Sequence, residues 1–229
     1  PFGELHDRAK MCPAYQDPLA VGPAGPVDPD LTLLAVRSPE GRPIALVANY
    51  GMHYFHDAPI SPGYYGRYAR KMAKLIDPNG SHPDFMAAMS QGTSGDQMYM
   101  DYSRAKPDLD IETYSNAIAR VAFGAYGQIE YRDWVRLAMA ETVLPLGRRV
   151  PDEERTARAR KVLAAMGDRE PKTRPEIFAR ELIYLTQDPT ARLKLQALRI
   201  GDLGVTAIPC EVYGITGLKI KAKSPLVHT

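Results

Sequence analysis

Two segments near the start of the chain are almost continuously apolar and predict strands. Residues 31–36 and 43–50 are separated by a Ser-Pro-Glu-Gly turn, and apolar runs of this length are typical of strands covered on both faces. Residues 63–76 then place apolar or aromatic side chains every three to four positions, which predicts a helix. The segment before residue 31 is rich in Pro, Gly and Asp and predicts irregular surface chain.

The rest of the chain continues to alternate between strand and helix. Its pattern predicts a short buried segment at residues 85–89, helices at 110–126, 151–166, 175–187 and 212–223, and strands at 134–146, 193–200 and 203–208. Asp108 or Asp110 is expected to cap the first of these helices, and the Gly201-Asp202 pair predicts that the last two strands are neighbours. This order of elements predicts an α/β fold with a mixed sheet and flanking helices.

Composition and charge exclude several classes of protein. The 229 residues include 29 Lys and Arg against 27 Asp and Glu, a formal net charge of +2, and the two signs are interspersed. The sequence has no basic stripe interleaved with aromatic residues, so we expect no nucleic-acid partner, and no apolar run approaches the roughly 18 residues of a membrane-spanning helix. Cys12 and Cys210 form either one long-range disulfide or two unpaired core thiols.

His53 lies at a position that favours ligand binding. It follows the apolar run 43–50 after a short connection, and ligand-handling residues collect at strand ends in α/β sheets. His56 lies three residues later, and a His-x-x-His spacing can hold a metal if the turn is helical. The alternative is a histidine that packs beside Tyr50 and Tyr54 or is exposed to solvent.

A polar loop with two glycines is the second candidate. Residues 91–97, Gln-Gly-Thr-Ser-Gly-Asp-Gln, directly follow the predicted buried segment. Glycines let the backbone approach a ligand closely, and successive N–H groups in such a loop can hold an anion or a developing oxyanion. The loop matches neither a Walker motif nor the GxGxxG and GxSxG motifs. The alternative is a plain Gly-rich turn.

Glu211 is the third candidate, at a predicted junction between strand and helix. It follows the apolar run 205–210, so its carboxylate is partly desolvated if the strand is central, and it then needs a cation or hydrogen-bond donors. The alternative is an acid in the first turn of the following helix, stabilised by the helix dipole.

Taken together, these segments resemble the neutral/alkaline, non-lysosomal ceramidase family in its catalytic domain. The matching segments are residues 27–34, 41–45, 49–53, 59–61, 91–96, 195–202 and 208–212. They cover most of the chain in order, although residues 108–188 match only loosely. The resemblance implies that residues 1–229 are one part of a larger catalytic domain that continues beyond both termini.

The resemblance also implies a cofactor and a ligand set. Members of the family are zinc amidases that cleave the N-acyl bond of ceramide, and they are secreted or membrane-surface enzymes, which implies an extracellular or periplasmic location. Their zinc is held by two histidines, a glutamate and a tyrosine. His53 resembles the second histidine and Glu211 the glutamate, while the first histidine is expected before Pro1 and the tyrosine after Thr229. We therefore expect residues 1–229 alone to bind zinc poorly.

Two departures from the family pattern bear on the substrate. The family loop reads Gly-Asp-x-Ser-Pro, whereas Met98 stands at the serine position here. A thioether cannot donate a hydrogen bond or accept an acyl group, which weighs against ceramide itself as the substrate. The family segment Ile-Ser-Gly/Ala-Asp also becomes Ile-Ser-Pro-Gly at residues 60–63 and loses its carboxylate.

The sequence thus predicts a zinc-dependent hydrolase of an amide (N-acyl) bond in a small-molecule or lipid-like substrate. His53 and Glu211 are its predicted metal ligands. Asp96 is the predicted catalytic residue, which orients water or a ligand histidine, and the predicted substrate-binding residues are Gly92, Ser94 and Gly95. One alternative is a non-catalytic domain that kept the fold and binds a glycan or a lipid head group. Another is a metal-dependent hydrolase of a non-lipid ester or amide.

Overall fold

A three-stranded mixed sheet forms the centre of the first part of the chain. The computed structural model describes residues 10, 12–55 and 58–229. Strand β1 (Leu31–Arg37) pairs antiparallel with β2 (Pro43–Tyr50), and β2 pairs in parallel with β3 (Met86–Gln91). The predicted α/β fold with a mixed sheet and flanking helices is confirmed, and both apolar runs form strands as expected.

Two helices cover one face of this sheet. The register places Leu33 opposite Ala48 and Leu46 opposite Ala87, so these apolar side chains share a face. Helices α1 (Gly63–Ile76) and α2 (Ile111–Tyr126) pack there. The core that they build consists of Leu46, Ala48, Met52, Tyr64, Tyr68, Met72, Ile118, Ala119 and Ala122.

The other face of the sheet is less covered than the sequence predicts. Val36 is 45% exposed and Met86 is 60% exposed, and Asn49 of the central strand is also exposed. The expectation of strands covered on both faces is therefore wrong for the described residues. The expectation of a buried segment at residues 85–89 is correct only in part, because Phe85, Ala87 and Met89 are partly buried against the core whereas Met86 is exposed. The physical reason is that β1 and β3 are edge strands and that α1 and α2 pack on a single face.

The remaining elements follow the predicted order with shifts of a few residues at their ends. They are β4 (Leu137–Gly147), α3 (Glu153–Met166), α4 (Arg174–Gln187), β5 (Thr190–Ile200), β6 (Leu203–Ala207) and α5 (Gly214–Lys223). Strands β4, β5 and β6 form a second sheet in that order, so the predicted pairing of the last two strands is confirmed. Asp110, rather than Asp108, caps α2, because its carboxylate accepts a hydrogen bond from Thr113 N.

The chain divides into two units, which we describe separately. The first unit contains residues up to Leu137 together with Ile200–Gly204 and Cys210–Thr229, and the second contains Ala138–Arg199 and Val205–Pro209. In the second unit α3 packs against α4, while every residue of β4 is exposed.

Neither cysteine is buried. Cys12 and Cys210 are both free and exposed, so they form no disulfide with each other and are not core thiols. Among the described residues, no helix has the length and apolar character needed to cross a membrane.

Candidate functional site

Three of the predicted segments meet at one place in the first unit. His53 follows β2 and the polar loop follows β3; because β2 and β3 are parallel neighbours, both segments leave the sheet at the same edge. His53 N donates to Gln97 O at 3.0 Å, which joins the two segments. Gly95 N donates to Val212 O at 2.8 Å, which brings the chain around Glu211 to the same loop.

The His53 ring is oriented by the loop. Its Nδ1 lies 3.2 Å from Ser94 O, and since a carbonyl oxygen can only accept a hydrogen bond, Nδ1 carries the proton. In the neutral ring the lone pair is therefore on Nε2. Metal-binding histidines commonly fix their second nitrogen in this way. The alternative that His53 is fully exposed is wrong, because the residue is half-buried.

Glu211 approaches the loop with its backbone, while its side chain is exposed to solvent. A Cβ atom on Gly95 would lie 2.4 Å from Glu211 O, so only glycine allows this approach. The expected desolvation of the carboxylate is wrong, because β6 is an edge strand and ends at Ala207, four residues earlier. Glu211 also precedes the first residue of α5, Gly214, so it is not in the first turn of that helix.

Several N–H groups of the loop already donate to backbone carbonyls of the chain. Gly92 N donates to Tyr50 O at 2.8 Å and Gln97 N donates to Ser94 O at 3.0 Å, while Gly95 N is bonded to the segment after Glu211. These three N–H groups are not free to hold an oxyanion. The side chain of Ser94 is 2% exposed and accepts from Gln91. Substrate binding by Gly92, Ser94 and Gly95 stays a prediction.

Asp96 anchors the start of α5. Its Oδ1 accepts from Gly214 N at 2.8 Å and from Gln97 Nε2 at 2.9 Å. A carboxylate at this position satisfies a free N–H group of the helix and interacts favourably with the helix dipole. The catalytic role predicted for Asp96 stays a prediction, and the contacts above are structural.

Gln97 was not among the residues predicted from the sequence. It is 5% exposed and contacts the segment before β1 through a hydrogen bond from Nε2 to Pro26 O at 3.2 Å. Nothing in the sequence marks this glutamine except its place in the polar loop, because its partners are distant along the chain.

The residues after the loop anchor it to the aromatic core. Met98, where the resemblance described above expects a serine, is 41% exposed. The next residue, Tyr99, packs on Phe55 with the ring centroids 4.7 Å apart, and Phe55 stacks on Tyr64 at 5.1 Å. One aromatic cluster thus holds both the segment after His53 and the segment after the loop.

An ion pair joins the C-terminal end of α5 to the segment before β1. Lys221 Nζ lies 2.8 Å from Asp28 Oδ2 and 2.9 Å from Asp30 Oδ2, and Asp28 is only 6% exposed. Burial lowers the pKa of Lys221, but the hydrogen bonds to both carboxylates outweigh it and hold this pKa above its ordinary value. The buried carboxylate of Asp28 is therefore paired, as a buried charge requires.

The donor types fit zinc, although the described residues supply only part of a ligand set. Imidazole nitrogen and carboxylate oxygen are both common zinc ligands, and His53 and Glu211 offer one of each. No group of three or more His, Cys, Asp or Glu side chains arranged to hold a metal occurs within residues 12–55 and 58–229. His56, the second member of the His-x-x-His spacing, lies outside the described residues.

Comparisons with known proteins show the fold. No family model matches the chain, and no curated protein matches it in sequence. A crystal structure of neutral ceramidase from Pseudomonas aeruginosa matches with a TM-score of 0.55 and 15% identity over 86% of this chain. The chain has a ceramidase-like fold. A ceramidase complexed with C2 matches with a TM-score of 0.54, also at 15% identity over 86% of the chain. The chain spans 36% and 38% of these two structures.

Proposed function

We propose that the protein is a zinc-dependent hydrolase of amide (N-acyl) bonds, with His53 and Glu211 among its metal ligands. The observation that carries the proposal is that one loop binds both segments: it accepts from His53 through Gln97 O and approaches Glu211 through Gly95. The ceramidase-like fold supports the same class of reaction by analogy.

The residues of this chain have separate tasks in the proposal. Ser94 O orients the His53 ring, so Nε2 is the atom that would bind the metal. Glu211 supplies an oxygen ligand, and its exposed side chain is accessible to an ion from solvent. Zinc, when bound, lowers the pKa of its water toward about 7 and thereby supplies the nucleophile. Structural and catalytic zinc sites have three or four protein ligands, so the proposal requires further ligands besides these two.

The proposed substrate is a small-molecule or lipid-like amide, and the loop weighs against ceramide itself. Met98 replaces the family serine and is partly exposed, so the loop presents a thioether where the resemblance expects a hydroxyl. By the same resemblance we propose an extracellular or periplasmic location.

A second candidate is a non-catalytic domain that binds a glycan or a lipid head group. The observation that favours it is that the N–H groups of Gly92, Gly95 and Gln97 already donate to backbone carbonyls of the chain. An active acyl-transfer site requires donors directed to the developing oxyanion, and these three cannot serve.

Zinc content and amidase activity of the intact protein test the proposal. We expect His53→Ala and Glu211→Ala each to lower zinc affinity at least about tenfold, because each removes a ligand, and to lower the amidase rate with it. His82→Ala and Glu153→Ala are matched controls, because His82 and Glu153 lie outside the loop and its neighbours and are expected to change neither quantity. Unchanged zinc stoichiometry in both ligand variants would refute the metal site, and zinc-independent ligand binding would favour the second candidate.

A further inference from the structure

Gln97 is buried between two segments that are far apart in sequence. Its Nε2 donates to Pro26 O at 3.2 Å and to Asp96 Oδ1 at 2.9 Å. Because a carbonyl and a carboxylate can only accept, these contacts fix which atom of the amide is nitrogen. The opposite atom, Oε1, is buried and has no hydrogen-bond partner in the part of the chain that the structure describes. Leaving a buried acceptor without a partner is unfavourable. The two hydrogen bonds of Nε2 nevertheless hold the amide in this orientation.

The same amide also defines the start of α5. Asp96 Oδ1 accepts from Gln97 and from Gly214 N together, so one oxygen atom links the loop to the helix. A Cβ atom on Gly214 would lie 2.6 Å from Gln97 Nε2. Gly214 therefore permits the contact, and the chain from Glu211 to Gly214 is held against the loop at both of its ends.

The backbone of Gln97 contacts the other side of the candidate site. Its carbonyl accepts from His53 N at 3.0 Å, and its N–H donates to Ser94 O at 3.0 Å. Ser94 O is also the atom that faces His53 Nδ1. The position of the His53 ring is thus set by the conformation of the loop around Gln97.

We propose that Gln97 and Asp96 are positioning residues that set the separation of His53 and Glu211. The side-chain pair holds the segment of Glu211 through Gly214, while the backbone of Gln97 holds His53. The proposal rests on the proposed function for its zinc measurement, and it gives Asp96 a role that involves no contact with substrate or water.

The test compares Gln97→Met with Gln196→Met in the intact protein. Both changes remove a glutamine that donates to a carboxylate, since Gln196 Nε2 donates to Glu141 Oε2 at 2.8 Å in the second unit. Zinc affinity is measured by competition with a chromophoric chelator, and amide hydrogen exchange is measured at His53 and Gly214 in the metal-free protein. We expect Gln97→Met to weaken zinc binding about tenfold, the loss typical of removing an outer-shell partner, and to speed exchange at both amides. Gln196→Met should change neither.

Two substitutions at Asp96 separate positioning from general stability. Asp96→Asn keeps an oxygen that can accept from both Gly214 N and Gln97 Nε2, so we expect zinc affinity within about threefold of wild type. Asp96→Ala removes that oxygen and should reproduce the effect of Gln97→Met; it also decides the matter if Gln97→Met does not fold, because Asp96 is exposed.

The outcomes are distinct. Faster exchange with unchanged zinc affinity in Gln97→Met and Asp96→Ala would overturn the positioning role, as would equal effects in Gln196→Met. If the wild-type protein binds no zinc, the proposed function fails and the exchange data alone decide: faster exchange at both His53 and Gly214 supports the coupling through Gln97, and unchanged exchange overturns it.

Discussion

In the first unit, tyrosine, methionine and leucine side chains are buried beneath one face of a sheet, whereas the buried residues described in the second unit are Thr156, Ala159 and Ala179. Small side chains allow α3 and α4 to approach closely, but they remove little apolar surface from water. Both helices of the second unit have N-terminal caps, Asp152 on α3 and a capping box of Thr173 and Glu176 on α4. The candidate site lies in the unit with the larger buried side chains.

A site that must hold two ligands at a fixed distance requires rigid support. The loop at residues 91–97 has that support, because its start continues β3 and its end packs on the aromatic core through Tyr99. The second unit offers no comparable support in its described residues, since every residue of β4 is exposed. The comparison can be tested by changes of equal size in the two units.

The largest expected change in the free energy of unfolding comes from removing a core leucine side chain. Leu46 is fully buried in the first unit and Leu144 is 42% exposed in the second. We expect Leu46→Ala to lower the free energy of unfolding by about 3 kcal/mol, because it leaves a cavity, and Leu144→Ala to lower it by about 1 kcal/mol or less. Chemical denaturation of the intact protein measures both. Equal losses would contradict the difference between the units.

The second expected effect concerns the approach of the loop to Glu211. Gly95→Ala would force its new methyl group against Glu211 O, and we expect a loss of about 2 kcal/mol together with weaker zinc binding. Gly124→Ala, in the last turn of α2, is the control, because a Cβ there would meet no atom within 4 Å apart from the backbone of its own helix. It should be neutral or stabilise by up to about 1 kcal/mol. A well-tolerated Gly95→Ala would show that the approach to Glu211 is not tight.

The third prediction distinguishes two buried tyrosines of α1. Tyr64 donates its hydroxyl to Met52 O at 3.1 Å, next to His53, whereas the Tyr68 hydroxyl has no partner among the described residues. Burial raises the pKa of both hydroxyls, so both remain protonated at neutral pH. We expect Tyr64→Phe to cost about 1 kcal/mol and Tyr68→Phe to be neutral or stabilising. The reverse order in thermal unfolding would refute the assigned hydrogen bond.

Part of the site could be predicted from the sequence because strand ends are informative. The apolar run 43–50 identifies β2, and the residues after it and after the next apolar segment lie at one edge when the strands are parallel. The position after a strand predicts His53 as a ligand-handling residue. The polar loop is predicted from its two glycines, two hydroxyls and carboxylate after an apolar segment, and the meeting of the two at one edge was not predicted. Asp110 is one of the two caps predicted for α2 for a similar reason, since a cap depends on residues within one turn. Asp152, the cap of α3, was not predicted as a cap, because the helix was expected to begin at residue 151.

The rest of the site depends on contacts between residues that are distant in sequence. The exposure of Glu211 follows from the edge position of β6, and an apolar run does not reveal whether its strand is central or at an edge. Gln97 acquires its role from Pro26 and Gly214, which no local pattern connects to it. The same limit applies to the open face of the first sheet, where apolar residues alone predicted a cover on both sides.

The smallest expected effect is a loss of stability of the second unit at acidic pH. Hydrogen bonds from Arg169 and from the N–H groups of Lys172 and Thr173 lower the pKa of Glu176 to about 2. Because this pKa lies below the ordinary carboxyl value of about 4.5, the stabilisation is present at neutral pH and is lost as the pH falls from about 4.5 toward 2.

Glu176→Gln tests that dependence. Helix content, measured by circular dichroism under mildly destabilising conditions, should be lower in Glu176→Gln than in wild type at pH 7, and the two should converge near pH 2. Glu153→Gln, at the start of α3, is the control for loss of an acid in the first turn of a helix and should show a smaller difference. A difference for Glu176→Gln that persists unchanged to pH 2 would contradict the assigned ion pair. The second unit would then derive its stability from the packing of α3 on α4. The two units would in that case differ only in the size of their buried side chains.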